Sequence, residues 1–292
     1  MIPELRSAHP TLSTRQLCRL LDVNPARHYR RLARLARLAR EAGEAADSDL
    51  RDRVERVVLE MPGYGYRRVT RHLAREGLVV NHKRVLRMMR AEGLLCRPKR
   101  RFVVTTDSNH GLRCHPNLIK DLEIDALDRV WIADLTYIRL GSGFVYLACV
   151  LDAYSRRCVG WALSRFIDTR LALAALEMAL SARNPAAGLI HHSDRGSQYA
   201  ANAYLKRLEA AGARSSMSAR GNPYENARME SFVGTVKREE VELKDYQSLH
   251  AVQENIARFL EEVYNCKRLH SSLGYLPPVE FEESVKNREP RQ

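Results

Sequence analysis

The sequence predicts the α/β fold class: a mixed β-sheet with packed helices, preceded by all-α helix-turn-helix domains at the amino terminus. β-rich segments begin only near residue 130 and later alternate with helical ones, which is the order expected of a mixed sheet. Before that point, apolar residues recur at helical spacing between capping and turn signals. The net charge of +13 also lies entirely in the first 106 residues, so the two parts differ in chemistry as well as in pattern.

The composition is that of a folded protein with several domains. The chain has 292 residues, of which 45% are hydrophobic and 28% charged, and these values exclude wholesale disorder. It contains no run of about 18 apolar residues, so no membrane association is expected, and the amino terminus lacks the apolar stretch of a secretion signal. The six cysteines include no Cys-x-x-Cys pair, so a reducing cytoplasm is the expected location.

The basic excess indicates a polyanionic partner for the first third of the chain. Residues 1–106 contain 24 Lys and Arg against 11 Asp and Glu, whereas residues 107–292 contain 24 of each. A basic module beside a neutral one favours nucleic acid, which it would bind by releasing counterions. A basic surface that serves only solubility is the alternative, and an anionic membrane is less favoured because the basic helices lack bulky aromatic anchors.

A first helical domain, resembling a helix-turn-helix, is expected over residues 1–46. Ser13 can cap one helix, and Asn24, which directly precedes a proline, can begin a second. Leucines recur every three residues over 31–40, so the apolar stripe drifts around the helix and favours a short packing or partner-facing helix. The small and acidic residues 41–48 are expected to form a linker.

A basic helix-turn-helix domain is expected over residues 47–106. Ser48 can cap a helix that ends at the turn Pro62–Gly65, and a helix over 66–76 is followed by a short turn and a helix capped by Asn81. Four basic residues lie on the outer side of that last helix: Lys83, Arg84, Arg87 and Arg90. This face suits a DNA major groove, although a solvated charged face is the alternative interpretation.

A linker over 107–125, a neutral α/β domain over 126–245 and a helical extension over 246–292 are expected to follow. Within the α/β domain the pattern predicts an antiparallel meander of three strands, at 130–139, 144–151 and 157–164. A helix over 169–182, a strand over 189–192, a helix over 199–211 and a strand over 214–217 are expected to follow.

Three acidic residues stand out in this domain. Asp134 interrupts an apolar strand, where a carboxylate is destabilising unless it is paired or binds a cation. Asp194 directly follows a short strand, and strand ends on such sheets collect ligands. Glu230 lies about two turns into a helix that Asn222 can cap, with 35 residues between it and Asp194. Three converging acids can hold two Mg²⁺ ions about 4 Å apart for phosphodiester chemistry, while each acid taken alone could be a surface ion-pair partner.

Sequence motifs around these acids resemble the catalytic core of bacterial insertion-sequence transposases. The resemblance is to the OrfB product of two-frame insertion sequences, within the retroviral-integrase-like DDE superfamily, and it covers about residues 13–283. The motifs around the acids are Trp131-x-x-Asp134-x-Thr136, His192-Ser193-Asp194-x-Gly196-x-Gln198-Tyr199 and Gly221-Asn222-x-x-x-Asn226-Ala227-x-x-Glu230-Ser231-Phe232. Further matches occur at Gly63–Arg68, Asn81–Val85 and Tyr264–Phe281.

The resemblance implies an RNase H-like fold in which Asp134, Asp194 and Glu230 form the catalytic triad and bind two Mg²⁺ ions, with Mn²⁺ as a substitute. Such an enzyme would cleave the ends of the element and join the 3′-hydroxyl to target DNA by two-metal phosphoryl transfer. Lys237, seven residues after Glu230 and hence on the same helix face, would contact the DNA backbone near the transposon end.

The resemblance also implies partners: double-stranded DNA from the element ends and the target, further copies of the chain in a multimer, and an OrfA protein or fusion as a candidate. Location in the bacterial cytoplasm, at the nucleoid, follows from these partners. Three rival functions stay open on the sequence alone. They are a DNA-binding regulator with an inactive core, a nuclease that only hydrolyses, and a basic scaffold.

Several other residues have two interpretations. Arg268 and His270 either contact DNA or tie down a terminal helix. His191 and His192 flank the second carboxylate, and packing of its loop is favoured over substrate contact or proton transfer. Asp152 follows a strand and is expected to be structural.

Overall fold

The computed structural model describes Ile2, Leu5, Ser7 and residues 10–96, 115–141, 143–218 and 227–287. The amino-terminal part is helical, with α1 at Thr14–Leu20, α2 at Pro25–Glu60, α3 at Tyr66–Arg75 and α4 at His82–Ala91. Three of the caps expected from the sequence are present, whereas Asn222, expected to cap a later helix, lies outside the described residues. Ser13 and Gln16 form a capping box, Asn24 accepts from the amides of Ala26 and Arg27, and Asn81 accepts from the amide of Lys83.

The predicted linker at 41–48 is wrong, because α2 is one helix of 36 residues. The segment is rich in Ala and Glu, which are strong helix formers, and it contains no proline. Its single glycine, Gly43, destabilises the helix by only about 1 kcal/mol relative to alanine. The boundary expected between residues 46 and 47 therefore falls within α2, and Ser48 is an interior helix residue instead of a cap.

The helix-turn-helix core forms where the second half of α2 packs against α3 and α4. Its buried side chains include Val54, Val57, Leu73, Val85 and Met89. The core also contains Leu269 from the far end of the chain, whose backbone amide donates to the Tyr64 hydroxyl at 2.7 Å. The carboxyl-terminal segment is thus anchored on the helix-turn-helix domain.

A five-stranded mixed sheet forms the second part of the molecule. Its strands are β1 at Val130–Leu140, β2 at Gly143–Asp152, β3 at Cys158–Ser164, β4 at Ile190–Ser193 and β5 at Arg214–Met217. The spatial order is β3-β2-β1-β4-β5. The first three strands form the expected antiparallel meander, whereas β4 runs parallel to both β1 and β5. The α/β fold class and the mixed sheet are confirmed.

Helices cover both faces of this sheet because side chains alternate along β1. Trp131, Ala133 and Leu135 belong to the core on one face. That face is covered by α5 at Thr169–Arg183, α6 at Ser197–Ala200 and α7 at Asn202–Ala210. The one helix expected over 199–211 is broken, since Ala201 has an extended backbone between α6 and α7.

The other face packs against α8 at Ala227–Glu239 and α9 at Leu249–Arg258. After α9, the chain continues through a π-helical segment at Phe259–Tyr264 to α10 at Pro278–Lys286. Part of the predicted linker over 107–125 also belongs here, because Leu118, Ile119, Leu122 and Ile124 pack against this core. The part of the chain that the structure describes contains no helix with the length and apolar character needed to cross a membrane.

Candidate active site

Asp134 lies on the central strand of the sheet, on the side that faces α8. It shares the strand face of Ile132 and Ile138, whose core includes Met229 and Val236 of α8. Its Oδ1 atom accepts from the amide of the next residue at 2.8 Å. The side chain is only partly exposed, so the strand holds a carboxylate against the apolar layer beneath α8.

Asp194 is brought to Asp134 by the pairing of β1 with β4. Ile132 pairs with His192 in the parallel ladder, and each aspartate lies two residues beyond that pair. Neighbouring strands are about 4.8 Å apart, so the register sets the two carboxylates next to each other. The amide of Gly196 donates to Oδ1 of Asp194 at 2.9 Å. A Cβ atom at residue 196 would lie only 3.0 Å from that oxygen, which explains why glycine suits this turn.

The electrostatics of the site reflect this proximity. Burial raises the pKa of Asp134 to about 7, and the charge of Asp194 and, more weakly, that of Glu230 act in the same direction. The Leu135 amide and the Lys237 ammonium oppose the rise. The three acids and the lysine therefore lie within electrostatic range of one strand position.

Glu230 and Lys237 lie on α8, Glu230 exposed and Lys237 half-buried. The ammonium of Lys237 is 4.5 Å from the centre of the Tyr137 ring, in a cation–π contact. Burial lowers the pKa of Lys237, and Asp134 and Glu242 oppose this change. Sequence reasoning missed Tyr137, because a single aromatic residue in an apolar strand carries no signal beyond core packing.

The aspartate pair has the chemistry of a divalent-cation site. Carboxylate oxygens are ligands of Mg²⁺ and Mn²⁺, and a bound cation would relieve the repulsion between the two groups. Among the residues that the structure describes, no three His, Cys, Asp or Glu side chains are grouped closely enough to hold one metal ion. The fold brings Asp134 and Asp194 together, while Glu230 is near but does not complete a set of three ligands.

The two histidines before Asp194 are packed into the protein, as the sequence analysis favoured. His191 Nε2 and the Tyr204 hydroxyl are 3.0 Å apart, and His192 Nδ1 and the Ser216 hydroxyl are 2.8 Å apart. Burial lowers the pKa of His191 to about 3, so it is neutral at physiological pH. Asp152 is also structural, since it accepts from three backbone amides, those of Asp128, Tyr154 and Ser155.

The predicted DNA-binding residues fall into two groups. Lys83, Arg84, Arg87 and Arg90 are all exposed on α4, and Arg84 also forms an ion pair with Asp47. A role in DNA contact stays a prediction for these four. Arg268 is different, because only 2% of it is exposed and its guanidinium donates to both Glu239 oxygens, at 2.7 and 2.8 Å. His270 is buried as well, so for both residues the geometry supports the interpretation of tying down the carboxyl-terminal segment.

Comparisons with known proteins agree with this architecture. An integrase core domain matches residues 125–223, a second integrase core domain model matches 211–278, and an HTH-like domain matches 44–102. The chain is 37% identical to the transposase for insertion sequence element IS904 of Lactococcus lactis subsp. lactis, over 80% of this chain and 93% of that protein. It is 34% identical to the IS629 transposase of Shigella sonnei, over 97% and 96%. The chain belongs to the family of insertion-sequence transposases.

The resemblance found in the motifs is thereby confirmed. Another relative, the insertion element IS600 uncharacterized 31 kDa protein of Shigella sonnei, is 40% identical over 81% of this chain and 90% of its own length. The catalytic core domain of BIV integrase matches with a TM-score of 0.42 and 16% identity, over 55% of this chain and 98% of that one. As a family member with an integrase core and an HTH-like domain, the transposase is a DNA-binding enzyme of the polynucleotidyl-transferase type.

Proposed function

We propose that this transposase cleaves the ends of its insertion sequence and joins the resulting 3′-hydroxyl to target DNA. The observation that carries the proposal is the proximity of Asp134 on β1 to Asp194, which directly follows the adjacent parallel strand β4, with Glu230 and Lys237 of α8 within electrostatic range of Asp134. In the first step, water attacks a phosphodiester at the element end and the bond to the 3′-oxygen breaks. In the second, that 3′-hydroxyl attacks a phosphodiester of the target, and a target 3′-hydroxyl leaves.

Asp134, Asp194 and Glu230 would hold two Mg²⁺ ions, with Mn²⁺ as a substitute. When bound, these ions would activate the attacking oxygen and stabilise charge on the leaving oxygen. The aspartates are already adjacent, so Glu230 is the ligand that has to approach when the site assembles. Its position on α8, outside the sheet, is consistent with such a movement.

The basic residues position the DNA. Lys237, held by the Tyr137 ring beside Asp134, would bind a backbone phosphate next to the reacting bond. The exposed α4 face with Lys83, Arg84, Arg87 and Arg90 would bind the duplex. Arg268 and His270 would support this indirectly, by fixing the carboxyl-terminal segment. The reaction joins two ends to one target, so a multimer on double-stranded DNA is expected, with an OrfA protein or fusion as a candidate partner.

A joining assay with labelled element ends and Mg²⁺ tests the proposal, run with the chain alone and with an OrfA fusion. Asp134→Asn, Asp194→Asn and Glu230→Gln should each abolish joined product and leave DNA binding intact, because they remove ligands and not the DNA-binding surface. Asp245→Asn is the matched control, since Asp245 is exposed and lies outside both the sheet and the helix α8 that carry the three acids. Unchanged activity in the triad variants would refute the assignment, and cut but unjoined ends would indicate a hydrolytic nuclease.

A further inference from the structure

A basic cavity of about 360 Å³ lies between α3, the loop before β3, α8 and the carboxyl-terminal segment. Five arginines line it, and we call it the arginine cavity: Arg68, Arg156, Arg228, Arg238 and Arg268. Serine and threonine hydroxyls from α8 and from Ser271 and Ser272 complete the wall, and among the residues that the structure describes no acidic one lines it. A volume of this size is typical of a small-ligand pocket.

The positive charge of the arginine cavity is compensated only in part, by Glu239 and, at longer range, by Asp152, whose charge acts on Arg156 and Arg228. Arg268 is neutralised by Glu239 in a buried ion pair. For the other four arginines, no carboxylate in the described ranges lies within the 4.0 Å of an ion pair. Burial lowers the pKa of Arg68, and the charges of Arg268 and Arg238 act in the same direction, whereas the charge of Glu239 opposes them. Like charges gathered without a counterion destabilise the folded state, and an anion in the cavity would remove that penalty.

The hydrogen-bonding groups also indicate an anionic ligand. The Nε–H group of Arg68 is buried, and within the described part of the chain it has no hydrogen-bond acceptor. A buried donor without a partner is uncommon and destabilising. Guanidinium groups match the tetrahedral oxygens of phosphate in two-pronged contacts. The cavity therefore offers donors and charge of the kind that a phosphate group satisfies.

The arginine cavity is separate from the aspartate site, although α8 contributes to both. An α-helix turns by about 100° per residue. Glu230 and Lys237 are seven residues apart and share one face of α8, whereas Arg228, Ser231, Thr235 and Arg238 lie on a face about 130° away. The two sites are therefore about one helix diameter apart, roughly 10 Å, which is the axial length of about three nucleotides of a DNA strand.

We propose that the arginine cavity binds a phosphate group, supplied in the DNA complex by the backbone of a strand held next to the aspartate site. The DNA part of this proposal rests on the function proposed above, whereas phosphate binding itself does not. Arg68 comes from the helix-turn-helix domain and Arg228 from the catalytic helix, so a phosphate held between them would link the DNA-binding and catalytic parts.

The first test measures thermal unfolding in inorganic phosphate and in chloride at equal ionic strength. Phosphate should raise the Tm of the wild-type chain, because a ligand that binds only the folded state stabilises it. The double variant Arg228→Gln/Arg238→Gln should lose this rise. Arg228→Lys/Arg238→Lys, which keeps the charge but not the forked geometry, should retain part of it. Arg214→Gln is the matched control, because Arg214 is exposed on β5 at the opposite edge of the sheet.

The second test measures the binding of a short DNA duplex as a function of salt concentration. It uses an Asp134→Asn background, in which the DNA should stay uncut. Losing one phosphate contact should reduce the slope of log K against log[salt] by about 0.9 in the Gln double variant and not in Arg214→Gln. A phosphate-induced Tm rise without a change in slope would keep the phosphate site and overturn the DNA assignment. Equal behaviour of all variants in both tests would overturn the proposal, whatever the joining assay shows.

Discussion

Helix α8 contributes residues to two clusters on different faces, one of acidic and one of basic side chains, and different interactions hold the two clusters in place. On one face, Glu230 lies toward Asp134, which is within β1, and Asp194, which directly follows β4, so the pairing of these two strands fixes their spacing. On the other, Arg228 and Arg238 enter the arginine cavity. The arginines there come from α3, a loop, α8 and the carboxyl-terminal segment, so no single element fixes their spacing.

The two clusters depend on different kinds of interaction for their geometry. The aspartate pair depends on sheet register, which many backbone hydrogen bonds maintain together. The arginine cavity depends on tertiary contacts, above all on the buried ion pair between Arg268 and Glu239 and on the contact of the Tyr64 turn with Leu269. Perturbing these contacts should therefore affect the stability of the fold far more than perturbing an exposed ion pair.

The largest effect is expected for Glu239→Gln. The substitution leaves Arg268 buried without its carboxylate and adds to the repulsion in the arginine cavity, so the free energy of unfolding should fall by about 3–5 kcal/mol. Urea denaturation measures this. Glu177→Gln is the control, because its pair with Arg207 is partly exposed and should contribute at most about 1 kcal/mol. Similar small losses in both variants would show that the cavity does not depend on this ion pair.

A smaller loss of stability is expected when the pH is lowered, because His270 is buried in its neutral form. Burial, followed by the charges of Arg268, Arg68 and Arg156, lowers the pKa of His270 to about 3. Below pH 6.5 the unfolded chain takes up a proton that folded His270 rejects, so stability falls as the pH falls toward 3. The slope is at most about 1.4 kcal/mol per pH unit for each such group, or about 2.5 kcal/mol between about pH 6 and pH 4.

His191, near the aspartates, is the histidine to compare with His270. Burial lowers its pKa to about 3 as well, but no arginine is among the causes. His270→Gln should therefore remove one group from the slope and leave the contribution of His191. Urea unfolding at a series of pH values measures both. Because phosphate would offset the arginine charges around His270, it should raise the pKa of His270 in the folded wild type, so that the loss of stability levels off at a higher pH, and His270→Gln should not show this change. An unchanged slope in His270→Gln would contradict the assigned pKa.

The sequence predicts the aspartate pair but not the arginine cavity, because strand pairing places the first and tertiary contacts place the second. Asp134 and Asp194 were predicted because each lies on or just after a strand with a clear β pattern, and parallel pairing of those strands brings them together. The arginine cavity was not predicted, because Arg68 and Arg238 are 170 residues apart and each lies in an ordinary polar stretch. The continuous helix α2 differs from the predicted linker for a local reason, since a stretch of small and acidic residues is typical of a linker and yet has high helix propensity.

The smallest of the three effects is expected for Gly63→Ala, which tests how tightly the helix-turn-helix domain is fitted to the arginine cavity. A Cβ atom at Gly63 would lie 2.0 Å from Cγ of Glu239, and that side chain cannot move away while Arg268 holds both of its oxygens. Overpacking of this kind destabilises by about 1–3 kcal/mol. Gly65→Ala, two residues away, meets nothing within 4 Å, so only the weaker N-cap that Ala gives α3 and the reduced entropy of the unfolded chain act on it, and stability should change by less than about 1 kcal/mol. Equal urea midpoints for the two variants would mean that the turn and Glu239 are not in contact, and that the arginine cavity is open on the helix-turn-helix side.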